Sequence, residues 1–364
     1  GRARVEYAEY DTMTWAATQN VPIVDEVLAA RFNYERYLSD GFVKNITRDE
    51  DDWGRTDRQN ARLQLLYRPN GDDDTTLNFT YRYGEDRGND IFPFVGGPTP
   101  FFDRTSIYNN NDVYDSESHF LALEGFFRLN DAWTLETVTS AQYLDGFQDF
   151  DGDRSPFPID QVFAYFDEYL YTQEFRFNFD DGGPFRGLVG LYGQYNSYKN
   201  GLNGTLFGST IDNDISEFGT VAALFLNGEY DVTNRLTVGA GVRFNYEERD
   251  VNFSSVLGPL PPFLPFPLAG EQRSTDEFFD VLPQGSISYD LSDTQTIGGL
   301  VSRGYRSGGV SVAPFVQQVA GYDPEYTWNY ELFYRGVFLD GELRVNSNVF
   351  YNDWTDQQVG LQVP

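Results

Sequence analysis

The chain is dominated by segments in which apolar and polar residues alternate. In residues 236–246 every second residue is apolar, and the residues between are small or polar. Similar alternation occurs at 77–83, 169–179 and 343–349. Successive side chains of a β-strand point to opposite faces, whereas a helix repeats every 3.6 residues. The pattern therefore predicts strands with one apolar and one polar face.

The connections between these strands differ in length in a regular way. Short turns rich in Asp, Asn and Gly, such as 70–72 and 180–183, alternate with longer irregular stretches such as 147–167, 199–216 and 250–275. All the long stretches then fall at one end of the predicted sheet. About fifteen strands are predicted, near residues 2–10, 12–19, 26–36, 57–68, 75–87, 117–129, 132–146, 168–179, 186–198, 217–230, 235–249, 276–290, 295–304, 324–338 and 342–354.

This arrangement favours an all-β fold of one kind, a transmembrane antiparallel β-barrel with short periplasmic turns and long extracellular loops. A soluble sandwich or propeller also alternates, but nothing requires its long loops to lie at one end. In such a barrel the alternation predicts that the residues facing the lumen include Arg62, Arg82, Glu174, Arg176, Arg243, Asn346 and Asn348. It predicts that Leu236, Val238, Ala240, Val242 and Phe244 face lipid.

The number of strands affects the domain prediction. Complete bacterial single-chain barrels have an even number of strands, and fifteen is odd. We therefore expect residues 1–364 to be a partial outer-membrane barrel domain.

Composition excludes several other classes of protein. The net charge is −30, but Phe, Tyr and Trp make up 17% of residues, which is too many for an acidic disordered chain. The absence of cysteine excludes disulfides and Cys-based metal sites. Lys44 and Lys199 are the only lysines, so nucleic acid is an unfavourable partner. No apolar stretch approaches the ~18 residues of a spanning helix.

Several segments resemble the barrel domain of TonB-dependent outer-membrane receptors. Residues 323–332 read DPEYTWNYEL and residues 348–359 read NVFYNDWTDQQV, which are similar to two strands of that family. The segment SRGYRSGG at 302–309 resembles the family's loop entry. Two further strands, around Gln173-Glu174 and Gly241-Val242-Arg243, follow the same order as in the family.

The resemblance implies a function and a location. It implies a transporter in the bacterial outer membrane, energised by the TonB complex of the inner membrane, that takes up a scarce ligand such as a ferric siderophore. The partners would be outer-membrane lipid, TonB and a small-molecule or metal-chelate ligand. Family members carry an N-terminal plug and 22 strands, so the plug and about seven strands are expected to be missing from this chain. A passive porin or a surface ligand-binding barrel is the alternative.

Catalytic chemistry finds little support in the sequence. His119 is the only histidine, which rules out multi-histidine metal sites and makes an interface residue the favoured interpretation. No nucleophile elbow or phosphate-binding loop is present. We therefore expect neither an enzyme nor a cofactor.

One acidic segment has a spacing that resembles a calcium loop. Asp149, Asp151 and Asp153, with Asp160 further on, offer the oxygen ligands that hard cations prefer. The glycine at 152 departs from the usual position in such loops, and no helix flanks the segment. Calcium at these four residues is one hypothesis, and a solvated acidic loop is the other.

Aromatic side chains and arginines on the predicted extracellular loops are the candidate ligand site. Ligand sites are mostly apolar and aromatic walls with a few polar groups. Packing of the loops against one another is the alternative for each residue. The candidates are Phe92, Phe94, Phe101, Phe102, Tyr108, Phe150, Arg104 and Arg154.

Overall fold

A computed structural model describes residues 1–89, 103–206, 208–259, 266–313 and 318–360. Fifteen strands form one sheet whose spatial order follows the chain, and every neighbouring pair is antiparallel. These strands are β1 (Arg2–Ala8), β2 (Thr12–Val24), β3 (Leu28–Ser39), β6 (Thr56–Tyr67), β7 (Thr75–Asn89), β9 (Val113–Arg128), β10 (Trp133–Asp151), β11 (Gln161–Asp180), β12 (Phe185–Leu206), β13 (Ser209–Thr233), β14 (Leu236–Leu257), β15 (Leu268–Ser292), β16 (Gln295–Arg306), β19 (Glu325–Phe338) and β20 (Leu343–Thr355).

Smaller elements lie at the end of the sheet that carries the long connections, here called the loop end. The opposite end, with short connections such as 68–74 and 129–132, is the turn end. The small strands are β4 (Val43–Asn45), β5 (Glu50–Trp53), β8 (Thr105–Ser106), β17 (Gly309–Ala313) and β18 (Gln318–Tyr322), and a 3₁₀ turn occupies Leu339–Gly341. The described residues contain no helix with the length and apolarity needed to span a bilayer.

The fifteen predicted strands are confirmed, since each overlaps one strand of the sheet. The sheet is open, because β1 and β20 are its two outer strands and are not paired with each other. It is therefore an antiparallel barrel wall that is not closed on itself.

Strand register divides the side chains between two faces. Arg243 lies opposite Phe225 and Leu282, and its neighbour Val242 lies opposite Leu226 and Pro283. Side chains of cross-strand partners share a face, and adjacent residues on one strand do not. We call the face of Arg243 the polar face and the face of Val242 the apolar face. The register places all seven predicted lumen residues on the polar face and all five predicted lipid-facing residues on the apolar face.

The apolar face exposes large hydrophobic side chains over its whole width. Leu191 is 50% exposed, Ile287 is 52% exposed and Leu332 is 67% exposed. Tyr230 and Tyr289 stand on the same face close to the turn end. Contiguous apolar surface of this extent is typical of contact with lipid, and aromatic residues near strand ends are typical of the membrane interface.

Several strands continue further than the alternation predicted. Residues 199–216 were expected to be an irregular loop, but β12 and β13 are separated by only residues 207–208. Beyond the membrane both faces meet water, so alternation fades while the backbone hydrogen-bond ladder continues. Similar extensions of β10, β11, β14 and β15 replace most of the loops expected at 147–167 and 250–275.

Candidate functional site

A small folded layer caps part of the loop end. β4 pairs antiparallel with β5 and parallel with β8, so segments from two different connections form one three-stranded sheet. Val43, Trp53 and Tyr108 pack together beneath it and are at most 2% exposed. The rings of Trp53 and Tyr108 meet edge to face, with centroids 6.4 Å apart. This layer therefore has a hydrophobic core of its own.

Glycine permits the tight path of the chain into β4. Gly41 has φ +90°, and a Cβ at this position would lie 2.4 Å from the backbone oxygen of Trp53. The backbone N–H of Phe42 donates to the same oxygen at 3.2 Å. A residue without a side chain is therefore required at this position.

Polar side chains of the segment that contains β4 form hydrogen bonds to the segment that follows β8. Asn45 Nδ2 donates to the backbone oxygen of Tyr108 at 3.0 Å, and Arg48 Nη1 donates to that of Asn109 at 3.1 Å. Arg48 also forms a 3.0 Å ion pair with Glu50. These bonds satisfy loop carbonyls that have no partner in a strand ladder.

The buried carboxylate of Asp151 joins the layer to the end of β10. Its Oδ2 accepts the backbone N–H of Asn109 at 3.1 Å, and its Oδ1 accepts the N–H groups of Asp153 and Arg154 at 3.2 and 2.7 Å. Burial raises the pKa of the Asp151 carboxyl, while the N–H donors of Arg154 and Asn109 act in the opposite direction. The segments 43–53, 103–112 and 151–160 are thereby tied into one unit, which we call the rim.

The four aspartates of the calcium hypothesis are used mainly as acceptors within the rim or between the rim and the adjacent strand ends. Asp149 Oδ1 accepts from Asn110 Nδ2 at 2.6 Å, Asp160 Oδ1 accepts the N–H of Gly208 at 2.7 Å, and Asp153 Oδ2 accepts the N–H of Asp160 at 3.0 Å. Within the described ranges no group of three or more acidic or histidine side chains is arranged to hold a metal ion. Calcium at Asp149, Asp151, Asp153 and Asp160 stays a prediction.

An exposed cation rests on a pair of adjacent aromatic rings at the loop end. The guanidinium carbon of Arg104 lies 5.9 Å from the ring centroid of Tyr10 and 5.5 Å from that of Phe42. The two rings are 5.6 Å apart, and Arg104 also donates to the Tyr10 hydroxyl. Tyr10 and Phe42 are 43% and 36% exposed. A cation held on aromatic faces can bind an anionic or aromatic ligand group.

The other predicted ligand residues differ in exposure and in their position in the fold. Tyr108 is buried in the rim core, Phe150 is half-buried on the polar face of β10, and Arg154 is exposed on the rim. Phe157 and Phe266, at 63% and 74% exposed, are solvent-facing loop aromatics. The predicted residues Phe92, Phe94, Phe101 and Phe102 lie outside the described residues.

Sequence reasoning missed Tyr10 and Phe42 as members of the site. The predicted strand 2–10 includes Tyr10, but its φ of 61° places it in the turn after β1. Phe42 follows the glycine that shapes the rim, and an aromatic residue beside a glycine in a long acidic connection was the available signal.

Comparisons with known proteins agree with this architecture. The family model described as TonB dependent receptor-like, beta-barrel matches residues 7–364. The pesticin receptor of Yersinia enterocolitica is 28% identical over 144 residues, which are 36% of this chain and 19% of that protein. The pesticin receptor of Yersinia pestis is 28% identical over 136 residues, which are 36% of this chain and 18% of that protein.

Solved structures with the same fold have lower sequence identity. The ferric yersiniabactin uptake receptor of Yersinia pestis superimposes with a TM-score of 0.80 at 21% identity, covering 98% of this chain and 55% of that one. The siderophore receptor PiuA of Acinetobacter baumannii gives a TM-score of 0.68 at 13% identity, with coverages of 95% and 56%. The ferric citrate transporter FecA gives 0.67 at 14% identity, with coverages of 97% and 50%. The chain thus spans about half the length of these receptors.

Proposed function

The chain belongs to the TonB-dependent receptor-like β-barrel family, and from this membership we propose that the complete protein takes up a ferric siderophore across the outer membrane. The family consists of transporters and receptors of the bacterial outer membrane. The polar face is then the lumen wall, and the loop end, with its rim, faces the outside of the cell.

The observation that carries the proposal is the family match over residues 7–364. The names of the structural relatives support the ligand class, because they include receptors for ferric yersiniabactin, ferric catecholates and alcaligin. A copper transporter and a receptor solved with pyocin S2 are also among them. Ligands therefore differ within this fold, and the siderophore is our proposal for this chain.

The loop end carries groups that suit such a ligand. Ferric siderophore complexes often carry negative charge and aromatic or carboxylate groups, for which an arginine on aromatic rings is a suitable partner. We assign Arg104, with Tyr10 and Phe42 beneath it, as the outer ligand contact, with Arg154 and Phe150 as further candidates. Phe92, Phe94, Phe101 and Phe102 remain proposed members of the same site, whereas Tyr108 is buried against Trp53 and would act by holding the rim in place.

Energised uptake of iron tests the proposal. The complete gene product is expressed in a host that lacks its own siderophore receptors, and uptake of radioactive iron is measured with catecholate, hydroxamate, phenolate and citrate chelates. We expect saturable uptake of at least one chelate, and we expect it to disappear when the host's TonB is deleted. Uptake that persists without TonB and does not saturate would instead indicate a passive porin. Binding without any uptake would indicate a surface ligand-binding barrel.

A further inference from the structure

On the apolar face, a row of carboxylates lies near the loop end. Its members are cross-strand partners on four neighbouring strands, and we call them the carboxylate row: Glu85, Glu117, Asp145 and Asp167. The row directly below it contains Tyr143 and Tyr169, whose ring centroids are 4.5 Å apart. Tyrosine is typical of the membrane interface, whereas charged side chains are costly in hydrocarbon. The hydrocarbon of the outer leaflet therefore ends at or below the carboxylate row.

The strands continue past this row toward the loop end. Tyr165 is four residues from Tyr169 on the same face of β11, which is ~13 Å along the tilted strand at ~3.3 Å per residue. The next two strands, β12 and β13, extend as far as Leu206 and Ser209. The outward side of the wall at this height therefore meets the headgroups of the outer leaflet and not its hydrocarbon.

Tyr165 forms a flat aromatic platform at this height. Its cross-strand partner on β12 is Gly201, where a Cβ would lie 2.2 Å from Cζ of the Tyr165 ring, so the ring lies across the glycine. Beyond Gly201, the Tyr165 hydroxyl donates to the carboxylate of Asp214 on β13. Tyr165 is nevertheless 38% exposed. The ring is thus held flat on the sheet and presents its other face outward.

The neighbouring ring on β10 extends this aromatic surface. Phe147 is the cross-strand partner of Tyr165, is 43% exposed and stacks on Phe163 with the ring centroids 6.0 Å apart. Further along the same row, Asp115 pairs with Arg87 at 3.0 Å, so the charged groups there neutralise each other. Exposed aromatic surface outside the hydrocarbon is typical of an interaction site.

A polar cavity adjoins the platform on its other side. Asp214, which holds the Tyr165 hydroxyl, is also part of the lining of an open cavity of about 450 Å³ over β13, β14 and β15. Hydroxyl, amide, carboxylate and guanidinium groups supply both donors and acceptors there. The lining residues that share the outward face are Asp214, Ser216, Asn252, Ser254, Glu271 and Arg273.

We propose that the Tyr165 platform and the adjoining cavity bind the sugar headgroup of a glycolipid in the outer leaflet. One face of a sugar ring is made of C–H bonds and stacks on an aromatic ring, while its hydroxyls bond to amide, hydroxyl and carboxylate groups. The cavity lining has two carboxylates and one guanidinium, which disfavours phosphate groups and suits uncharged sugars. The site faces sideways into the leaflet, ~13 Å along the strand from the interfacial tyrosines, so a lipid headgroup reaches it.

The test compares lipids that differ in their sugars. The complete gene product is reconstituted in vesicles of phosphatidylethanolamine, alone, with lipid A, or with lipopolysaccharide that carries the core sugars. All samples contain EDTA, so that divalent cations do not bridge phosphates to the carboxylate row. We expect the core sugars to raise the unfolding temperature of the native protein above its value with lipid A. We expect Tyr165→Ala to lose most of this increase.

Tyr171→Ala is the matched control for the platform. Tyr171 lies on the same face of the same strand and is 47% exposed, but it lies on the hydrocarbon side of the carboxylate row. Its loss is expected to lower the unfolding temperature similarly in all three lipids and to keep the increase from the core sugars. Asn252→Ala is the second variant, because it trims the cavity and leaves the ring in place. It should reduce the increase in the same direction, also if Tyr165→Ala fails to fold.

The outcomes separate this inference from the proposed function. A native protein that gains nothing from the core sugars overturns the site, and so does an increase that both variants keep or that Tyr171→Ala loses equally. Stabilisation by core oligosaccharide released from its lipid, without any by the intact lipopolysaccharide, overturns the assignment to a glycolipid. If the increase depends on Tyr165 while no ferric chelate is taken up, the proposed function fails and the sugar site stands.

Discussion

The backbone N–H of Asn109 donates a hydrogen bond of 3.1 Å to Oδ2 of Asp151. This bond joins the connection between β7 and β9 to the end of β10, and the other oxygen of Asp151 holds the chain that follows it. A single buried carboxylate thereby organises two extracellular segments. The rim is preformed, which lowers the entropy that a ligand would lose on ordering it.

The first prediction is that Asp151→Asn loosens the rim. Asparagine keeps one oxygen and turns an amide toward at least one N–H donor, so the N–H groups of Asn109, Asp153 and Arg154 cannot all keep this acceptor. The expected cost is about 1–3 kcal/mol of local stability. Hydrogen exchange should become faster at residues 103–112 and 151–160 and stay unchanged in the strands near the turn end.

A turn aspartate provides the control for that variant. Asp181 accepts the N–H of Gly183 at 2.9 Å in an exposed turn at the opposite end of the sheet. Asp181→Asn is expected to leave exchange in the rim at its native rate. Native exchange rates in the rim of the Asp151→Asn protein would show that this carboxylate does not hold the segments together.

The second prediction is that Arg104→Gln weakens binding of the ferric chelate that we propose as the ligand. The substitution removes a cation whose contact with an aromatic group of the ligand would be worth about 0.5–2 kcal/mol. We expect Kd to rise about 2- to 30-fold, with Arg104→Lys intermediate, because lysine keeps the charge but loses the planar fork.

Arg128→Gln is the matched control for Arg104. Arg128 is exposed and bridges Asp74 near the turn end, so its loss changes the net charge equally but far from the rim. Equal affinities of the Arg104→Gln and Arg128→Gln proteins for the chelate would remove Arg104 from the ligand site.

The sheet was predictable from the sequence because the membrane imposes a two-residue period on it. Leu236 to Tyr246 alternates strictly, and the register confirms that Arg243 and Val242 occupy opposite faces. The parts of β12 and β13 at the loop end were not predicted, because they extend beyond the membrane and lack this period. Asn200 and Asn203 lie on opposite faces there, in water, so no alternation remains although the ladder continues.

The candidate site was less predictable, because it depends on contacts between distant segments. The sequence predicts Tyr108 as a ligand residue, and only the fold shows that it packs on Trp53. The opposition of Arg62 and Arg82 depends on the register between β6 and β7, which the alternation of each strand does not specify. Single-strand patterns give the face of a residue but not its partner across the ladder.

The third prediction compares charges placed on the two faces. Ile287 lies on the apolar face and its neighbour Ser286 lies on the polar face. Arginine on the lipid face costs about 2–4 kcal/mol at the bilayer midplane and about 0–1 kcal/mol near the interfaces, whereas the lumen tolerates polar residues. Ile287 lies two residues from the interfacial Tyr289, so we expect Ile287→Arg to lower the stability of the complete protein by about 1–2 kcal/mol, between these limits, and Ser286→Arg to change it little. Urea unfolding in lipid vesicles measures both variants, and equal stabilities would contradict the assignment of faces.

The last prediction concerns the glycine that leads into the rim. Gly41 and Gly182 both have positive φ, at +90° and +76°, but a Cβ at Gly41 would meet the Trp53 oxygen at 2.4 Å, whereas nothing lies within 4 Å at Gly182. Alanine at either position carries the cost of a left-handed backbone, about 1–2 kcal/mol. Only Gly41→Ala adds a clash with rigid backbone, so it should displace β4 from β5 and expose Trp53. Tryptophan fluorescence and limited proteolysis of residues 40–55 are expected to change for Gly41→Ala and not for Gly182→Ala. Identical behaviour of the two variants would show that the rim does not depend on this close approach.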